Sequence, residues 1–191
     1  MSFQQLVKKA RSTRRFRPEP LPVGFFDRIA EYARFSPCGG NTQELKFIAL
    51  SSEPVCRKVF PLLRWARALK DWDGPEEQEQ PAGYMVILLD RNISSSAGCD
   101  HGIAAQSMVL GAAEEGIGSC MIGSYDKPAL IRELDLPDHL EPCLIIAFGY
   151  PGETVVLEDV GPGGSTVYYR DEKGNHHVPK RPLDELLVKK L

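Results

Sequence analysis

Apolar positions in this chain recur in two rhythms, and the elements can be read from where one gives way to the other. Phe3, Leu6, Val7 and Ala10 fall at helical spacing and predict a short amphipathic helix over residues 3 to about 11. Arg17-Pro18-Glu19-Pro20-Leu21-Pro22 cannot be helical inside, because each proline removes a donor and restricts the residue before it. Pro22 can open a second helix with Phe25, Phe26, Ile29, Ala30 and Ala33 on its buried face, and Ser36-Pro37 closes it.

Beyond a glycine loop, residues 45–50 predict a mostly buried strand and residues 55–63 a helix. An aromatic segment from Trp65 to Trp72 follows. Gly74 to Gln80 is polar, acidic and flanked by proline, the composition of a mobile exposed loop. Tyr84 to Asp90 predicts a second buried strand, and Gly98 to Glu115 the longest helix. Ala104, Ala105, Ser107, Gly111, Ala112 and Ala113 let other backbones approach that helix closely, which predicts a central position and a candidate subunit interface. Residues 116–124 read as a glycine-punctuated strand, 128–134 as a short helix and 142–149 as a third buried strand.

The tail changes character. Gly161 to Gly164 reads as a flexible linker; residues 166–170 and 176–178 flank Asp171 to Asn175 as a hairpin; a last helix is expected from Leu183 to about Lys190. No internal repeat is present. Helices and strands alternate irregularly over a single domain of 191 residues, so the predicted class is α+β, with residues 161–191 a C-terminal extension.

Composition narrows the chemistry. A net charge of −3 gives no support to nucleic-acid binding. Five cysteines with no CxxC pair read as reduced thiols. The first residues lack the apolar core of a signal peptide, and no apolar run approaches the roughly 18–20 residues that span a bilayer. The expectation is a soluble cytoplasmic protein. Cys99 with His101 and His176 with His177 are the local pairs of metal-binding type. Neither matches a zinc spacing, and neighbours on a strand point to opposite faces, so no metal is expected. A GxGxxG opening a βαβ unit and a GxxxxGK[ST] loop are both missing.

Two stretches carry candidate chemistry. Arg11-Ser12-Thr13-Arg14-Arg15 packs three guanidinium groups and two hydroxyls into five residues, donors suited to phosphate oxygens; the alternative is a solvated basic face. Lys180-Arg181 forms a second basic pair, which strengthens the phosphate reading only if the fold brings the two together. In Pro37-Cys38-Gly39-Gly40-Asn41-Thr42-Gln43 the glycines permit close backbone approach, and the amides of Asn41 and Gln43 suit the edge of a heteroaromatic ring. Cys38 has no histidine close in sequence and reads as a buried or ligand-lining thiol.

RSTRRF, SPCGGNTQ, DHGIAAQSM, GIGSCMIGSYD, FGYP and VPKRPLDEL occur in an order and spacing that resemble the nitroreductase family of FMN flavoproteins, over nearly the whole chain. The resemblance implies a mostly antiparallel sheet flanked by helices, and an intertwined homodimer with FMN at the subunit interface. By resemblance, Arg11, Ser12 and Arg14 contact the flavin's phosphate and pyrimidine edge. Pro37, Cys38, Gly40, Asn41 and Gln43 reach the cofactor from the partner chain. Gln106 lies near the ring, the backbone amides of Ile122, Gly123 and Ser124 face its reactive nitrogen and carbonyl, and Lys180 and Arg181 hold the phosphate. Donors at the pyrimidine edge would favour hydride acceptance. No side chain is then required as acid or base, and NADH or NADPH would reduce the flavin before a nitroaromatic, quinone or similar electron-poor acceptor takes its place in a ping-pong scheme. A flavin reductase or dehalogenase-like member and a non-catalytic flavin-binding sensor or store are the alternatives. Ala10 stands where many members carry a further arginine, and Glu44-Leu45 where many carry proline and tryptophan. Trp65, Lys70 and Trp72 fall in the segment that forms the family's substrate mouth, with core packing the alternative for either tryptophan.

Overall fold

Tyr84 to Leu89 carry no charged side chain and are almost wholly buried, and the sheet is built outward from them. In this computed structural model, which describes residues 1–161 and 163–191, the elements in chain order are α1 (Phe3–Lys9), β1 (Phe16–Arg17), α2 (Phe25–Arg34), β2 (Leu45–Leu50), α3 (Glu53–Val59), β3 (Gly83–Asp90), α4 (Asp100–Glu114), β4 (Gly118–Ile122), α5 (Lys127–Glu133), β5 (Leu140–Pro151), β6 (Val155–Asp159), β7 (Tyr169–Arg170), β8 (His176–Lys180) and α6 (Leu183–Leu186). Single 3₁₀ turns lie at Gly39–Asn41, Phe60–Leu62 and Glu77–Glu79.

β3 pairs with β2 on one side and β5 on the other, and the far edge of β5 carries β4 and then β1, all antiparallel. A buried strand with neighbours on both sides must be apolar on both faces, which is why β3 reads as a continuous apolar run. One face packs on α2 and α4 through Phe25, Ile29, Met85, Met108 and Phe148; the other gathers Val59, Leu63, Trp65, Val86, Leu130 and Ile145. α4 is central, as its small residues predict: a Cβ on Gly111 would sit 2.4 Å from the Tyr32 ring of α2. The fold is α+β.

β6, β8 and β7 form a second sheet, with β8 parallel to β6 and antiparallel to β7. The predicted hairpin is present as β7 and β8; β6 was not anticipated. No helix among the described residues is long and apolar enough to cross a membrane.

Other expectations need correcting. α1 forms, behind a Ser2–Gln5 capping box, but buries no residue, and Phe3 is 71% exposed. Of β2 only Leu50 is buried, because the strand lies at the sheet edge. Residues 74–80 are not a free loop: Pro75 is buried and Glu79 Oε2 lies 3.2 Å from Arg15 Nε. α6 stops at Leu186, and Leu183, Leu186 and Val188 remain exposed among the described residues. In the glycine linker, Gly164 N–H donates to the Gly161 carbonyl in a turn, and Pro162 lies outside the described residues.

Candidate functional site

The start of β4 holds the arginine-rich turn. Ser12 bridges Ser119 in parallel, and Thr13 N–H donates to the Ser119 carbonyl at 2.8 Å. Position 118 is glycine because Thr13 occupies the space a side chain would need: a Cβ there would lie 2.9 Å from Thr13 Oγ1. The N–H groups of Arg14 and Arg15 both donate to Glu153 Oε1, at 2.5 and 3.1 Å, while Glu153 Oε2 accepts from Arg170 at 3.0 Å. The Glu153 side chain is 2% exposed, so one buried carboxylate ties the motif to β7. Beneath Cys120, burial pushes the thiol up in pKa against the opposing pull of Arg14 and the Ser12 hydroxyl.

Arg14 reaches into the second sheet, with Nη1 3.0 Å from His176 Nε2 and its guanidinium 4.8 Å above the Tyr168 ring. Burial first, and then the positive field of Arg14, push the His176 pKa down to about 4. The imidazole is therefore neutral at pH 7, and because arginine can only donate, Nε2 accepts and the proton sits on Nδ1. Next to it, His177 faces the other way, stacks on Tyr169 and bonds Glu158 and Asp171. Those two carboxylates raise its pKa.

The two basic groups of the sequence lie within electrostatic reach of each other through Arg11 and Lys180. Lys180, at the end of β8, has its pKa lowered by partial burial and then by the neighbouring Arg11 guanidinium. Arg11 Nε is buried without a hydrogen-bond partner, and neither cation has a carboxylate partner among the described residues. Arg181 is placed differently, donating to Glu185 at 2.9 Å.

At the other end of β4, Ile122 is buried while Gly123 and Ser124 are exposed. A Cβ on Gly123 would meet only Leu144 Cδ1, at 4.0 Å, so that flank is open. From Ser12's partner Ser119 to Gly123 the strand advances about 13 Å at ~3.3 Å per residue. The aromatic segment begins here: Arg64 N–H donates to the Ser124 carbonyl at 2.9 Å, and Leu63 bridges Tyr125. Phe60, Arg64, Trp65, Lys70, Trp72 and Asp73 line a cavity of about 420 Å³. Trp65 is 7% exposed and packs in the core against Phe60, so its role is in large part the packing alternative. Trp72 is half-buried, with the Arg170 guanidinium 4.2 Å from its ring, and Ala68 N–H donates to the Tyr168 hydroxyl.

The glycine loop is separate. Gly40, Asn41 and Gln43 are left-handed at φ 58°, 55° and 53°, a geometry that costs on the order of 1 kcal/mol at each non-glycine position. Gly39 N–H to Asp100 Oδ2 at 2.8 Å and Thr42 Oγ1 to the Gly39 carbonyl at 2.7 Å hold it. The side chains of Pro37, Asn41 and Gln43 face solvent, Cys38 is half-buried, and Gln106 is exposed on α4. No hydrogen bond or ion pair joins this loop to the arginine turn or to the end of β4 among the described residues.

Sequence reasoning missed three groups. Glu153 and His176 escaped because the sequence does not show their partners, 139 and 162 positions away. Glu44 was noted only as a departure from the family pattern; it is 2% exposed with neither carboxylate oxygen partnered. Its carboxylate gathers with Cys38 Sγ and an Asp100 carboxylate within 4.8 Å, a trio that a search of adjacent pairs could not find.

Residues 7–150 match the model of the nitroreductase family. A relative from Methanothermobacter thermautotrophicus, whose name includes NADH dehydrogenase/NAD(P)H nitroreductase, is 25% identical over 84% of this chain and 83% of its own. Among solved structures, a nitroreductase family protein from Clostridium difficile 630 superposes with a TM-score of 0.65 at 23% identity, over 80% of this chain and 86% of that one. An FMN-dependent nitroreductase from Clostridium difficile R20291 gives 0.64 at 22% identity, over 78% and 87%. With three quarters of its length matched by the family model, this chain belongs to the nitroreductase family.

Proposed function

We propose that this chain is an FMN-dependent oxidoreductase. It takes hydride from NADH or NADPH and delivers it to a nitroaromatic, a quinone or another electron-poor acceptor, with the two substrates alternating in a ping-pong scheme. The observation that carries this reading is the buried Arg11 Nε, without a hydrogen-bond partner, whose guanidinium charge is felt at Lys180 from the opposite end of the chain. Two cations within reach of each other's charge, with no carboxylate partner among the described residues, fit a phosphate. The names of the relatives, which include NAD(P)H nitroreductase and FMN-dependent nitroreductase, support the same cofactors.

FMN, when bound, supplies the ring that accepts and releases hydride. The chain's own residues do the rest. Arg11 and Lys180 bind the phosphate, with Arg181 reaching it only after leaving Glu185. Ser12 and Arg14 serve the pyrimidine edge, and the held position of Arg14 makes it a preorganised donor. The Ile122–Ser124 end of β4 offers backbone N–H groups beside an open flank. Residues 37–43 serve the flavin of a second copy, consistent with their separation from the other residues within the chain. Gln106 on α4 faces the ring, and the cavity lined by Trp65, Lys70 and Trp72 admits the acceptor. An exposed α1 with Phe3 outward gives the homodimer an apolar face to bury.

The purified protein is expected to be yellow and to lose its flavin absorption when NADH or NADPH is added anaerobically. A bound flavin that neither nicotinamide reduces would turn the reading to a flavin store. Failure to take up FMN at all would overturn it.

A further inference from the structure

We propose a divalent-metal site, suited to Zn²⁺, formed by Cys38 Sγ and the carboxylates of Glu44 and Asp100. It does not rest on the flavin reading.

The three groups come from separate segments: Cys38 from the glycine loop, Glu44 from the residue before β2, and Asp100 from the first turn of α4. One ligand atom from each lies within 4.8 Å of the other two. Zinc bonds of about 2.3 Å to sulfur and 2.0–2.2 Å to oxygen put tetrahedral ligand atoms roughly 3.3–3.8 Å apart, so the trio needs to close by up to about 1.5 Å.

Glu44 is the decisive member. It is 2% exposed, both carboxylate oxygens lack a hydrogen-bond partner, and its backbone carbonyl accepts from Asp90 N–H at 2.8 Å, which fixes the backbone that carries the side chain. A buried carboxylate is normally paired or coordinates a metal. The cations bordering the same cavity are engaged elsewhere: Arg34 with Glu31, and Lys46 4.0 Å from Asp90. With Asp27 and Glu31 the lining carries an excess of negative charge, which draws a cation.

One thiolate with two carboxylates is a mixed set that zinc and cobalt accept and that magnesium or calcium, which take oxygen alone, do not. On binding, Cys38 gives its thiol proton to the buffer, the metal takes the thiolate sulfur and one oxygen from each carboxylate, and water fills the fourth position. The ion would staple the left-handed 40–43 loop to α4 and β2 and would be structural in effect. Gln43 N–H already donates to Cys38 Sγ at 3.4 Å, which steadies the thiolate.

The test uses the full-length protein, stripped with a chelator and titrated first with Zn²⁺ and then with Co²⁺. The expected result is one Zn²⁺ per chain with release of a proton, and a cobalt complex with a thiolate-to-metal charge-transfer band that Cys38→Ser abolishes. Glu44→Gln and Asp100→Asn should each weaken Zn²⁺ binding by at least the roughly 10–100-fold seen for lesser changes around metal sites. Circular dichroism of the metal-free variants confirms that they remain folded, and the Asp100 variant keeps the test valid if the Glu44 variant does not. No saturable uptake, or uptake that persists unchanged in a folded variant of either carboxylate, overturns the proposal; the second outcome would place the ion elsewhere.

Discussion

Removing the Glu153 carboxylate should loosen the whole N-terminal half of the candidate site. This group accepts from the N–H groups of Arg14 and Arg15 and from the Arg170 guanidinium, while being almost fully buried. Arg170 is itself only 13% exposed, and burial lowers its pKa. Glu153→Ala therefore strands a buried cation and two N–H groups, a change worth about 3–5 kcal/mol when one partner of a buried pair is deleted. Glu153→Gln keeps an oxygen for the backbone donors and loses the charge, so it should cost less, roughly 1.5–3 kcal/mol. For a chain of this length each kcal/mol lowers Tm by about 2–4 °C, which puts the alanine variant about 6–20 °C below the parent.

Urea unfolding monitored by circular dichroism reads the effect directly, with an unchanged slope expected if only stability has changed. Adding Arg170→Met to Glu153→Ala should restore part of the loss, because an apolar side chain needs no counter-charge there. A Glu153→Ala cost below about 1 kcal/mol, or a double variant worse than the sum of its parts, would refute the account of Glu153 as the anchor of the motif.

Four further outcomes are expected. Arg11→Ala and Lys180→Ala should each weaken FMN binding by about 10–100-fold, the worth of a charge-assisted hydrogen bond, while Arg181→Ala should do less because Glu185 holds that side chain; quenching of FMN fluorescence measures all three, and equal affinities throughout would contradict the phosphate assignment. Because His176 has a folded pKa of about 4, well below its ordinary 6.5, the unfolded chain binds a proton that the folded chain refuses between those values; stability should fall by on the order of 2 kcal/mol as pH drops through that window, and His176→Gln should remove the slope from urea titrations. Gly118→Ala should displace Thr13 and cost about 1–3 kcal/mol in the same unfolding assay, together with some FMN affinity, whereas a fully stable variant would show that the turn does not need that close approach. Phe3→Asp on α1 should shift the protein from dimer to monomer in light scattering, and a parent chain that is itself monomeric would remove the basis for a site shared between copies.

The two layers of the fold differ in how much the sequence reveals. β3 and β5 are legible because a strand buried on both faces must be apolar throughout, and Tyr84–Leu89 and Leu144–Phe148 are. α4 is legible for a related reason: its small residues announce the close approach that Gly111 and Tyr32 make. β6 is not, because a five-residue segment ending in Glu158-Asp159 carries little periodicity, and its strand identity comes from pairing with β8, some twenty positions downstream. The acidic 74–80 stretch was read by composition alone, and composition says nothing about Arg15 waiting at Glu79. α1 has the spacing of an amphipathic helix, but its apolar face is not covered within the described residues.

For the candidate site the same limit applies more sharply, since its residues are informative in kind but not in pairing. Arg11, Arg14, Arg15 and Lys180-Arg181 all announce a need for negative charge, and of these only Arg181 finds it locally, at Glu185. The fold divides that need in two. Glu153 and neutral His176 take up the demand of Arg14 and Arg170, fixing the turn, while Arg11 and Lys180, within reach of each other's charge, have no carboxylate partner among the described residues. The division explains why both kinds of residue sit in one motif: some of its cations build the socket, and the others are kept free for what enters it. A count of basic residues cannot separate the two roles, because the distinguishing quantity is where the buried Glu153 carboxylate, between β5 and β6, lands. That position is fixed by β5 running on through Pro151 into Glu153 and by the pairing of β8 with β6, contacts that exist only once the chain has closed on itself.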